Sequence, residues 1–193
     1  MKLYDMDKSG NCYKVRLFLS LLKIDYNLVA MNVAAGEQKT DTFLKINPNG
    51  LLPVLIDPTL SGGDQIIYDS AAILVYLAKR YADPSWFSDD TFESANVVRW
   101  LAFEQSEGRF GLARARAMKL KLPSPLALMG TIEEAQFLGN QGLEMLNLQL
   151  TDHQWLAGGS QPSIADIACY PYTTLSNEGG LSPENFPAIK KWM

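Results

Sequence analysis

Apolar and polar positions alternate in two rhythms along this chain, and the change of rhythm divides it. Lys2–Asp5 reads as a short strand. Val15, Phe18, Leu19 and Leu22 then recur at i, i+3, i+4 and i+7, which predicts a helix that buries that face. Residues 26–31 read as a second strand after a turn at Ile24-Asp25, and residues 42–46 as a short helix after the polar connection that starts at Gly36. Asn47-Pro48-Asn49-Gly50 is a concentrated turn signal. Residues 53–56 read as a strand whose first residue, a proline, cannot donate to a central ladder. Residues 66–68 form a further strand after a turn at Ser61-Gly62-Gly63-Asp64, and Asp69 or Ser70 caps a helix over 71–81.

From residue 83 onward the strand rhythm is gone. A helix is predicted over 90–119, and a second over 132–150 with Ile132, Ala135, Gly139, Leu143, Leu146 and Leu150 on one stripe. Ser163-Ile164-Ala165-Asp166 is a capping box directly before the apolar Ile167-Ala168-Cys169. The fold class is therefore α+β. A thioredoxin-like domain, with a four-stranded mixed sheet and helices, is followed by an all-α domain. The boundaries read as residues 1–82, a linker at 83–90 carrying Asp83-Pro84-Ser85, and 91–193.

Charge follows the same division. Residues 1–80 are net +1 (9 basic, 8 acidic) and residues 83–193 net −5 (8 basic, 13 acidic), for −4 over the 193 residues. An acidic chain is a poor nucleic-acid binder. The longest apolar run, at 71–78, falls short of the roughly 20 residues a bilayer span needs, so no membrane partner is expected. The first ten residues lack a secretory apolar core, which points to the cytoplasm. Two cysteines, Cys12 and Cys169, and one histidine, His153, make neither a disulfide framework nor a metal site.

Read as chemistry, the most informative loop is the one joining the first strand to the first helix. Ser9 there either caps the helix or, at its positive end, stabilises an anion. A helix N-terminus suits a thiolate, the form of a thiol that attacks electrophiles. Cys12 follows Ser9 at the spacing of a redox Cys-x-x-Cys whose first cysteine is replaced. It is either a small buried hydrophobe or a thiol able to form a mixed disulfide. His153 lies too far along the chain to be an expected base for a serine nucleophile. The basic run Arg109, Arg114, Arg116, Lys119 and Lys121 reads as a solvated helix face or a lure for an anionic substrate.

Ser9-Gly10-Asn11-Cys12-Tyr13-Lys14-Val15-Arg16, Ala35-Gly36-Glu37-Gln38, Phe43-Leu44-Lys45-Ile46-Asn47-Pro48-Asn49-Gly50, Leu52-Pro53-Val54-Leu55, Asp69-Ser70-Ala71-Ala72-Ile73 and Trp155-Leu156-Ala157-Gly158 occur in this order, ahead of the capping box. In that order and spacing the chain resembles the cytosolic glutathione transferases, of the serine-type bacterial branch near the theta and nu classes. The resemblance implies that Ser9 donates to a glutathione thiolate rather than acting as a nucleophile. It offers Asn11 as a second donor and Tyr4 as the competing hydroxyl, read here as packing. Asp69 and Ser70 are implied as γ-glutamyl ligands, and Leu52, before a cis Pro53, as the backbone partner of the cysteinyl unit. Gln38, with Lys39 or Lys45, is implied for the glycyl carboxylate, and Glu104 and Gln105 as residues reaching the partner subunit's ligand.

Implied with these are glutathione as co-substrate, no covalently bound cofactor, a small hydrophobic electrophile taken up by the helical domain, and a homodimer. The expected activity adds glutathione to an electrophile or peroxide. A glutathione-dependent disulfide reductase and a non-catalytic binding module are the alternatives. An isomerase reading is disfavoured because Ser9-Gly10-Asn11-Cys12 departs from its Ser-x-Cys-Ser loop. Ile189-Lys190-Lys191-Trp192-Met193 ends where such proteins usually continue, so either a truncated chain or a further tail is expected.

Overall fold

The computed structural model describes residues 1–59 and 63–193, in two compact units, Met1–Ala82 and Asp83–Met193. The first holds β1 (Lys2–Asp5), α1 (Gly10–Leu21), β2 (Asn27–Ala30), a 3-10 turn at Glu37–Lys39, α2 (Asp41–Leu44), β3 (Val54–Thr59), β4 (Gly63–Tyr68) and α3 (Ser70–Tyr81). The strands form one mixed sheet in the order β2-β1-β3-β4, with β1 parallel to β2 and β3 antiparallel to both its neighbours. This is the expected thioredoxin-like layout. Of the turn expected at Ser61-Gly62-Gly63-Asp64, Ser61 and Gly62 lie outside the described residues, and Gly63 and Asp64 already belong to β4.

Leu3 and Leu55 stand opposite each other in the β1–β3 register, both fully buried, with Val15, Phe18 and Leu19 of α1 and Ile73, Leu74 and Leu77 of α3 completing the core. β3 runs longer than expected and contains Pro58. Its pairing with β1 stops at Ile56, so beyond that point β3 is an edge on one side and tolerates a residue with no N–H.

The second unit is helical: α4 (Thr91–Phe103), α5 (Arg114–Lys119), α6 (Ile132–Asp152), α7 (Ile164–Thr174) and α8 (Pro187–Trp192). The single helix expected over 90–119 is interrupted. Between α4 and α5, residues Glu104–Ala113 widen into a π-helix whose end bonds the Arg114 N–H to the Arg109 carbonyl, five residues back. Gly111 in this segment packs on Gly139 of α6, so closely that an added Cβ would come within 2.5 Å of the Gly139 nitrogen. Only glycine permits that approach.

One expectation for this segment holds only in part. Of the basic run, Arg109, Lys119 and Lys121 are exposed, whereas Arg114 and Arg116 are buried rather than on a solvated face. Arg116 pairs with Glu178 at 2.5 Å, whereas two of the Arg114 guanidinium nitrogens are buried without a hydrogen-bond partner. The expected capping box of Ser163 with Asp166 is formed, and a second, Thr131 with Glu134, starts α6.

Candidate active site

Strand register gathers distant segments at one end of the sheet. Tyr4 near the end of β1 pairs with Val54 at the start of β3, and Val54 with Tyr68 at the end of β4. The loop leading to Ser9, the Leu52-Pro53 approach to β3, and Asp69-Ser70 after β4 therefore all leave the sheet at the same end. β2, parallel to β1, delivers the segment toward Gln38 from that end as well.

Ser9 is the N-cap of α1. Its Oγ accepts from the Cys12 N–H at 3.3 Å while the side chain stays half-exposed, so the hydroxyl proton remains available to donate outward. Asn11, on the first turn, holds two groups through one atom. Its Oδ1 accepts from Lys14 Nζ at 2.7 Å and from the Ser70 hydroxyl at 3.4 Å, which ties α1 to the start of α3. Ser70 is buried. Asp69 is exposed and caps α3 by accepting from the Ala71 N–H at 2.9 Å. Asp69 adopts φ 75° and ψ 128°, a strained conformation for a residue with a side chain, and a strained position that also carries a free carboxylate edge is a marker of function.

The Leu52-Pro53 bond is cis, as the resemblance implies. The loop before it is braced by Asn47, nearly fully buried, whose amide nitrogen donates to the Leu51 carbonyl at 2.9 Å and whose oxygen accepts from the Asn49 N–H at 3.0 Å. Gly50 beside it has φ +57°, and an added Cβ would meet the Gln38 carbonyl oxygen at 2.8 Å. Lys39 Nζ folds over this turn and donates to the Asn49 carbonyl at 3.1 Å. The Gln38 side-chain oxygen is buried without a partner. Lys45 is exposed.

Two expectations are corrected here. Cys12 is fully buried, accepts from the Met6 N–H through Sγ at 3.4 Å, and its thiol is pushed up to about 12. Burial is the main cause, with Asp5 adding to it, against smaller opposing effects from Ser9, Met6 and Arg16. A thiol held protonated and out of reach forms no mixed disulfide, so Cys12 is a packing residue. Glu104 is only 2% exposed and its carboxylate accepts from the Gln105 amide at 3.1 Å. A side chain so enclosed by its own chain has no free reach to a second subunit, while Gln105 is half-exposed.

Tyr4 packs edge-on against Phe43 with centroids 5.5 Å apart, in keeping with a packing role for its ring. Trp100 and Phe103 are buried, with ring centroids 5.0 Å apart. With Met145, Leu148 and His153 they line a cavity of about 300 Å³ in the helical unit. The sequence shows Asn47 as a turn residue and gives Lys14 no role, whereas the structure makes both of them braces of the site. Nothing in the local pattern marks a lysine for burial, although its i+3 spacing from Asn11 puts the two on one helix face.

A thioredoxin-like sheet whose first helix begins at a hydroxyl, beside a cis-proline loop and a capped helix carrying a free carboxylate, defines a thiol-handling protein class. Comparison with known proteins narrows it. The glutathione S-transferase N-terminal domain family matches residues 3–85 and the glutathione S-transferase C-terminal domain family residues 133–193. Disulfide-bond oxidoreductase YfcG of Escherichia coli is 31% identical over 184 residues, covering 94% of this chain and 83% of that protein. A glutathione S-transferase structure from Pseudomonas fluorescens superposes with a TM-score of 0.86 at 33% identity, covering 100% of this chain and 92% of that one. The glutathione transferase URE2P6 of Phanerochaete chrysosporium, solved with oxidized glutathione, superposes at 0.85 with 28% identity over 99% of this chain and 87% of its own. The chain belongs to the glutathione S-transferase family.

Proposed function

We infer that this protein binds glutathione at the sheet end described above, stabilises its thiolate, and transfers it to an electrophilic or peroxide substrate. The observation that carries the reading is the pairing of Ser9 and Asn11 at the N-terminus of α1. Ser9 has its proton to give, and Asn11 has its oxygen engaged and its amide N–H₂ free. Two donors at the positive end of a 12-residue helix favour a sulfur anion. In this reading the Asp69 carboxylate takes the γ-glutamyl ammonium, and the Ser70 hydroxyl with the first N–H groups of α3 takes the γ-glutamyl carboxylate. Leu52 pairs with the cysteinyl backbone. Gln38, whose amide nitrogen is the natural donor of that segment, takes the glycyl carboxylate, and Gln105 stands toward a partner subunit in a homodimer.

With an electrophile R–X, the thiolate forms the C–S bond as X⁻ leaves. No covalently attached cofactor is part of this reading, and the place of action is the cytoplasm. Among the described residues no helix is long and apolar enough to cross a membrane.

A second reading is favoured by the resemblance to YfcG, a disulfide-bond oxidoreductase. One thiolate would attack a disulfide to give a mixed disulfide and a released thiolate. A second glutathione would then resolve it, giving glutathione disulfide and the other thiolate. The buried Cys12 leaves every sulfur in that exchange to the ligands. Titrating the thiolate absorbance of bound glutathione tests the shared step. Ser9→Ala should raise the bound pKa by about one unit or more, and an unchanged titration removes Ser9 from the mechanism. Turnover with a dinitroaryl chloride, compared with a small disulfide under coupled NADPH oxidation, separates the two readings.

A further inference from the structure

Lys14 is a fully buried lysine that the mechanism above does not use. It lies on α1, three residues from Asn11, and its Nζ meets Asn11 Oδ1 at 2.7 Å, the shortest of the bonds that organise the site. A lysine end has donors only, and the Ser70 hydroxyl shares the same oxygen at 3.4 Å. An amide whose two ends differ in character must turn its oxygen toward such a neighbour. Its N–H₂ is then left for a partner other than the lysine and the Ser70 hydroxyl.

We propose that Lys14 is a positioning residue that fixes the orientation of the Asn11 amide, so that Asn11 presents N–H groups and not its oxygen to the glutathione sulfur. This rests on the thiolate-stabilising reading of the site. Without the lysine, an amide rotation of 180° exchanges donor for acceptor at the same place, and an acceptor there repels the anion it is meant to hold. Burial strengthens the effect, because a hydrogen bond to a charged group in a low-dielectric interior holds its partner more firmly than one in water. Arg16, two residues on, is engaged by Asp5 at 2.5 Å and does not substitute for it.

The test is the thiolate absorbance of bound glutathione across pH for the unaltered protein, Lys14→Met, Asn11→Ala and the double variant, with S-methylglutathione affinity measured alongside. Lys14→Met should lower the thiolate fraction at pH 7 about fivefold while leaving S-methylglutathione affinity within about threefold. In the Asn11→Ala background the same change should add almost nothing. An unaltered titration in Lys14→Met overturns the proposal, and so does an equal loss in both backgrounds, which would make the lysine a direct electrostatic contributor. Should Lys14→Met fail to fold, Asn11→Asp serves instead. It keeps the lysine bond but offers only acceptors, so the thiolate must be lost at least as far as in Asn11→Ala; a retained thiolate overturns the orientation argument. If the unaltered protein leaves the glutathione pKa at its free value, the thiolate reading itself falls.

Discussion

The indole nitrogen of Trp192 donates to Asp166 Oδ1 at 3.0 Å, joining the last helix to the first turn of α7. The same oxygen accepts from the Leu156 N–H at 3.0 Å, and the other takes the Ser163 N–H at 2.9 Å. A capping box visible in the sequence is thus the hub of a larger connection. Burial pushes the Asp166 carboxyl above its ordinary range, and these donors hold it back. Asp166→Ala strands the buried Leu156 and Ser163 N–H groups and the part-buried Trp192 indole, and should destabilise the protein by about 3–5 kcal/mol. Asp166→Asn, which keeps acceptor capacity on one side, should lose less. Denaturant midpoints at constant m-value check both, and equal losses would show that the donors find other partners.

Asp69 combines a strained backbone with a binding role, and the two separate by mutation. Asp69→Ala should weaken glutathione binding by about 1.5–3 kcal/mol, the range for a charge-assisted bond. Asp69→Gly should weaken it as much while leaving the melting temperature unchanged or higher. Glycine accepts φ 75° without strain and replaces a capping residue at little loss. Calorimetric binding and thermal melts together read this, and full affinity in Asp69→Gly would clear the carboxylate of any contact with ligand.

Cys12 should be inert to thiol reagents in the native state. Both cysteines are buried, so a disulfide reagent should titrate neither until denaturant is added, and then both. The folded value near 12 lies above the ordinary 9.0. Stability from this group is therefore complete below about pH 9 and declines as pH rises through the folded value, by at most about 1.4 kcal/mol per pH unit. Tyr76 and Tyr81 add to the same alkaline decline, since burial first and then their bonds to Asp57 raise both phenols. Cys12→Ala should show a shallower loss of stability above pH 9 than the unaltered protein. Identical slopes would contradict the assignment.

Gly50 cannot carry a side chain. At φ +57°, with the Gln38 carbonyl oxygen 2.8 Å from where a Cβ would stand, Gly50→Ala should destabilise by about 1–3 kcal/mol. It should also displace the 47–52 turn that hands Leu52 to the site. A melting temperature within experimental error of the unaltered protein would mean that this backbone yields more readily than its contacts suggest.

Local signals carried a large part of the fold. The four strands, the short helix before Asn47 and the Ser163–Asp166 box were legible because periodicity, turn residues and caps act over fewer than eight positions. Ser9 and Asp69 were legible as caps for the same reason, and the resemblance implied their chemistry and the cis Leu52-Pro53 bond. The π-helical stretch at Glu104–Ala113 was not legible, since its hydrophobic pattern also suits an α-helix. Within that stretch Gly111 lies pressed against Gly139 of a helix far along the chain, a contact no local pattern announces.

By itself, then, the order of residues determined which segments are strands, where helices begin, and which hydroxyl and carboxylate stand at helix starts, all through short-range stereochemistry. Tertiary structure alone decided that Lys14, Glu104, Arg114 and Arg116 are enclosed, that the Cys12 thiol stays protonated, and that the Asn11 amide oxygen accepts from the hydroxyl of Ser70, 59 positions away. The reason is that burial and long-range hydrogen bonding depend on what a distant part of the chain packs into the same space, and no local pattern encodes that neighbour.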